Sequence, residues 1–119
     1  MSDLWRAYFI PHDGIATRFV GRPVAKIQSE VADFYGIDAK YMIRPDGVGA
    51  REPKVSHPRQ VAMFFARKLT ARHFTDIGRL FGGRDHSTVM YAVRAVERRA
   101  SQDPYLEMEL EVLRERLAG

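Results

Sequence analysis

Two consecutive glycines, Gly82-Gly83, separate two stretches whose apolar residues recur at helical spacing, and no other feature restricts this chain as tightly. Glycine adopts positive φ without a Cβ clash, so such a pair lets the chain reverse at once and sets one helix across another. Before the pair, Thr75-Asp76 opens a short helix, TDIGRLF, whose Ile77, Leu80 and Phe81 point inward. After it, Asp85 is placed to cap HSTVMYAVRAVERRA, with Val89, Ala92, Val93 and Val96 on a buried face. Two helices joined by a tight turn, the second opening on small polar residues, have the layout of a helix-turn-helix. The alternative is an ordinary αα-hairpin in which Asp85 and Thr88 only cap and Arg84 is solvated.

The rest of the chain is also helical in pattern. Pro23 suits a first helical position, and Val24, Ile27, Val31 and Phe34 or Tyr35 follow until Gly36 offers a stop. Asp38 can cap a short turn over residues 39–43, and RPDGVGAREPK, residues 44–54, reads as a loop. Ser56 or His57 before Pro58 opens the next helix, with Val61, Phe64, Phe65 and Leu69 as its stripe and Arg59, Arg67 and Lys68 on other faces. Asp103-Pro104 introduces a final acidic helix carrying Leu106, Leu110, Leu113 and Leu117. No alternating strand pattern competes, which predicts an all-α, compact helical bundle over residues 23–119. Residues 1–22 form an extension in which Leu4, Trp5, Tyr8 and Phe9 share one side of a short helix before Pro11. That aromatic face either folds back on the core or serves as a handle for a partner.

Charge narrows the function. The net +4 of the 119 residues divides into 0 over residues 1–50, +7 over 51–100 and −3 over 101–119. A +7 block inside one folded unit is the footprint of a polyanion binder, and nine of its eleven basic residues are Arg, whose planar fork suits phosphate and guanine edges. The chain has no cysteine, which excludes disulfides, thiolate metal sites and a cysteine nucleophile, and its four histidines show no paired ligand spacing. No cofactor or metal is expected. The first residues lack the apolar core of a secretory signal and nothing approaches the ~20 apolar residues of a membrane span, so a cytoplasmic, nucleoid-associated protein is the default. Catalysis is not expected either: Asp85, His86 and Ser87 are triad residue types, but adjacent helical positions project in different directions.

On generic docking geometry the N-terminal turn of the second helix enters the major groove. Arg84, His86, Ser87 and Thr88 are then placed to touch base edges, with Arg84 gripping a guanine through two hydrogen bonds. At FGGRDHSTV the chain resembles the C-terminal DNA-binding domain, domain IV, of the bacterial replication initiator DnaA. The resemblance extends to IQSEVADFYGI, PRQVAMFFARKLT and DIGRLFGGRDHSTVMYAVRAVE, roughly ninety residues in order. It implies a six-helix, Trp-repressor-like fold, binding to a DnaA-box-like element in double-stranded DNA, and a role in regulating replication initiation or transcription.

The site residues follow from that resemblance. Arg84, Asp85, His86, Ser87 and Thr88 form the major-groove cluster; the family usually has Thr at Ser87, a change that preserves the hydroxyl, and His at Tyr91, which leaves base preference at Tyr91 open. Arg51 takes the place of a minor-groove arginine, and Lys54 shares its loop. Arg59 and Gln60 match the phosphate-contacting PRQ, His57 stands where Arg is common, and Arg67 adds a further cation behind them. The loop is less basic than usual, which implies weaker minor-groove contact. Members of the family bind ATP through a separate P-loop domain, and no such loop occurs in these 119 residues. The expectation is therefore a stand-alone, monomeric DNA reader without ATPase activity. The alternative is an adaptor that binds a replication initiation protein through Trp5, Tyr8 and Phe9 or through the acidic last helix.

Overall fold

The computed structural model describes residues 24–44 and 51–118. The predicted aromatic face at Trp5, Tyr8 and Phe9 lies outside the described residues. Every element among the described residues is helical: α1 Val24–Tyr35, α2 Lys40–Ile43, α3 Pro53–Leu69, α4 Phe74–Leu80, α5 His86–Gln102 and α6 Pro104–Ala118. The expected all-α bundle with a helix-turn-helix is thus the observed architecture.

Local chemistry sets most boundaries. α1 ends at Gly36, whose φ of 70° only glycine takes without strain. Asp38 Oδ1 accepts a hydrogen bond from the Lys40 amide at 2.9 Å as α2 begins. α3 ends where the Thr70 hydroxyl turns back to donate to the Ala66 carbonyl. α6 starts with Pro104 at a position whose amide would have no helical partner, while Asp103 Oδ1 accepts from the Tyr105 amide at 3.0 Å.

α3 departs from its predicted start. It begins at Pro53 rather than at Ser56 or His57, so Lys54 lies in its first turn and Pro58 inside it. An interior proline costs a helix about 3 kcal/mol by removing a donor and crowding the carbonyl four residues back. Burial of Val55 and Pro58 against the bundle offsets that cost, which a rule about local propensity cannot register. From Val61 to Ala66 the helix is buried on every side. Phe64 and Phe65 meet edge to face at 5.2 Å, each removing enough apolar surface for about 2 kcal/mol.

Around this axis α3 packs on α1 and α5, α4 packs on α5, and α6 closes the bundle against α5 and α1. The last contact is latched by polar side chains: Arg116 Nη2 donates to Glu30 at 3.1 Å and Asp33 at 2.8 Å, and the Tyr35 hydroxyl donates to Glu109 at 3.0 Å. Leu106, Leu110, Leu113 and Leu117 are all buried, as their spacing predicts. Leu80 is not: its side chain is 39% exposed, while Ile77 and Phe81 fill the core beneath it. A seven-residue helix offers only one narrow inward face, which Ile77 and Gly78 occupy, and Phe81 follows just past its end.

Candidate nucleic-acid interface

The turn between α4 and α5 depends on three glycines. Gly82 and Gly83 have φ of 80° and 77°, the left-handed region that carries the chain across α4. Gly82 is also pressed against α2, since a Cβ built on it would lie 2.3 Å from the Ile43 carbonyl oxygen. Gly78, inside α4, is the third, and the sequence reading passed over it. Its carbonyl accepts the Arg84 amide at 2.9 Å, and a Cβ there would lie 2.1 Å from the Arg84 oxygen. An isolated glycine inside a helical pattern was the available signal.

Arg84 does not point out as a free base reader. Its Nη1 donates to the Phe81 carbonyl and its Nη2 to the Arg44 carbonyl at 2.8 Å, with Met42 O 3.4 Å from Nη1. A guanidinium spread over carbonyls at the ends of α2 and α4 acts as a strut that ties the turn to the bundle. Nη1 and Nη2 each give an N–H to these carbonyls, so a two-bond grip on guanine has to share the guanidinium with the strut.

Asp85 performs its capping role. Its Oδ2 accepts the Ser87 amide at 3.0 Å and also the Ser87 hydroxyl, which holds the carboxyl below the usual carboxylate range. His86 Nδ1 stands 3.5 Å from Asp85 Oδ1. His86, Ser87 and Thr88 are exposed on the first turn of α5, and Tyr91 follows with 61% of its surface open. The structure therefore brings five of the predicted major-groove residues, Asp85 to Thr88 and Tyr91, onto one open helix end.

The predicted loop and phosphate residues scatter. Arg51 is exposed, and Lys54 lies 3.6 Å from Glu52. Arg59, which helical spacing sets outside the apolar stripe, is instead buried to 8% exposure between packed helices. Arg67 braces the α3–α4 connection, donating to the Arg72 carbonyl at 3.0 Å with its guanidinium 4.3 Å above the Phe74 ring. His57 and Gln60 both face Arg99 near the far end of α5: Nη1 lies 3.0 Å from His57 Nδ1 and Nη2 donates to Gln60 Oε1. Tyr35 packs edge to face on His57 at 5.3 Å. Burial, with Arg99 adding to it and Glu109 opposing it, lowers the His57 pKa below its ordinary 6.5. His57, Arg59, Gln60 and Arg67 are held by the bundle, whereas Arg51 lies exposed just before α3.

Comparison with known proteins fits this geometry. The family model described as "Bacterial dnaA protein helix-turn-helix" matches residues 24–96, which takes in α1 to most of α5. The chain belongs to the bacterial DnaA helix-turn-helix family. Among its relatives, the chromosomal replication initiator protein DnaA of Burkholderia multivorans is 44% identical over 96 residues, 81% of this chain. Those of Paraburkholderia phymatum and Burkholderia vietnamiensis are 43% identical over the same length. The chain spans 18% of the length of these relatives. Among the described residues no helix is long and apolar enough to cross a membrane.

Proposed function

We propose that this chain binds double-stranded DNA sequence-specifically at DnaA-box-like sites through the N-terminal half of α5. By occupying such sites, without hydrolysing ATP itself, it regulates replication initiation or transcription at the nucleoid. The open first turn of α5, carrying His86, Ser87 and Thr88 with Tyr91 one turn on, is the observation that carries the reading. Ser87 and Thr88 offer hydroxyls to base edges and a methyl to thymine, and Tyr91 supplies a flat apolar body with a polar tip. Asp85 shapes the entry by capping, and Arg51 is the residue available for an adjacent minor groove. Residues 23–119 act as one DNA-binding domain, which binds as a monomer.

Fluorescence anisotropy of a duplex carrying a DnaA box against a scrambled duplex, at one stated salt concentration, tests this. Tighter binding to the box is expected; equal affinities would reduce the interaction to phosphate contact and sink specific recognition.

The adaptor reading keeps one supporting observation. Tyr105, Met108 and Val112, spaced along one face of α6, are 77%, 64% and 48% exposed beside acidic neighbours. If a replication initiation protein docks there, Tyr105→Ala with Met108→Ser abolishes its capture while leaving box binding intact.

A further inference from the structure

Most of the eleven basic side chains between residues 51 and 100 are not open to a polyanion. Lys68 is paired with Glu97 at 2.8 Å, Arg79 with Asp76 at 3.0 Å, and Arg67, Arg84 and Arg99 are engaged by the protein's own acceptors. Arg94 and Arg98 differ. Both are exposed on α5, and neither side chain makes an ion pair or hydrogen bond among the described residues. They also sit four residues apart, where like charges on a helix repel each other, a cost that an anionic partner would remove.

Their position along α5 is specific. Ser87, Tyr91, Arg94 and Arg98 follow at i, i+4, i+7 and i+11, which at about 100° per residue confines them to one face about 60° wide. Arg94 lies about 10 Å and Arg98 about 16 Å along the axis from Ser87. The major groove is about 12 Å wide, so a helix that enters it by the Ser87 turn carries the two arginines to the groove's rim, where the phosphates lie.

We propose that Arg94 and Arg98 form the phosphate-binding element of α5, gripping the DNA backbone beside the groove that the first turn of the helix reads. The assignment rests on the DNA-binding reading above and adds two residues to it. It divides the helix by role: the first turn discriminates between sequences, and the arginine pair supplies affinity common to all of them.

The test is anisotropy titration of the full chain on box and scrambled duplexes across a salt series, with Arg94→Gln, Arg98→Gln, the double variant and a Lys26→Gln control. Each arginine removed is expected to reduce the slope of log affinity against log salt by about one, on both duplexes, while the ratio between duplexes is kept. Lys26→Gln, which takes one charge from α1, is expected to leave the slope unchanged, and the Arg→Lys double variant to restore it. An unchanged slope in the double variant overturns the proposal, as does an equal fall in Lys26→Gln. Wild-type binding that fails to discriminate the duplexes overturns the sequence-specific reading instead, and the arginine slope is still readable on either duplex.

Discussion

Gly82 lies so close to Ile43 that a Cβ on the glycine would stand 2.3 Å from the Ile43 carbonyl oxygen. The turn of the helix-turn-helix is therefore packed directly on the backbone at the end of α2. Gly83 has nearly the same φ but open space beside it. Gly83→Ala is expected to cost only the strain of a left-handed alanine, about 1 kcal/mol. Gly82→Ala adds a backbone collision and lowers Tm further; thermal unfolding of the two variants side by side measures the difference, and equal Tm losses would contradict the packing described. Gly78→Ala, with its Cβ 2.1 Å from the Arg84 oxygen, should group with Gly82→Ala.

Arg84 supplies a second test. As a strut donating to the Phe81 and Arg44 carbonyls, it contributes stability before any DNA is present. Arg84→Ala is expected to destabilise the free protein by about 2 kcal/mol, the range for hydrogen bonds from a charged donor. Loss of box discrimination with an unchanged Tm would instead return Arg84 to the role of base reader.

The exposed turn of α5 predicts the reverse pattern. Thr88 and Tyr91 are both exposed, so in Thr88→Ala and Tyr91→Ala Tm should hold while preference for the box duplex falls about tenfold, the scale of one lost base contact. Equal preference in wild type and both variants would place the readout elsewhere. Tyr91→His should change which base is preferred at one position, readable by scanning single substitutions through the box.

His57 links stability to pH. Burial and the Arg99 charge hold its folded pKa below 6.5, so the folded protein keeps it neutral where the unfolded chain takes up a proton. Its contribution is complete above pH 6.5 and is lost as the pH falls from there through the folded value. Glu109 and Tyr35 from neighbouring helices face the same group, and Glu109 moderates the shift. His57→Gln should flatten the fall in Tm between about pH 7 and pH 5. An identical pH profile in the variant would show that another group is responsible.

What the amino-acid sequence determined by itself was local. Apolar spacing placed α1, α5 and the Leu106 to Leu117 stripe, Asp85 announced its cap, and Gly82-Gly83 marked the reversal. Each of these follows from helix geometry within a few residues of chain. The open first turn of α5 was legible for the same reason, since His86, Ser87 and Thr88 precede the first buried residue, Val89. Only tertiary structure decided the fate of the long polar side chains. Arg84 finds the Arg44 carbonyl 40 residues away, Arg99 finds His57 across 42, and Arg59 turns inward. Periodicity says which side of a helix a residue occupies, but not which helix crosses that side. An arginine reaches far enough that its partner is chosen by the crossing. The same packing buried Val55, Pro58 and Arg59 in the early turns of α3, a helix that runs back through Pro58 to Pro53.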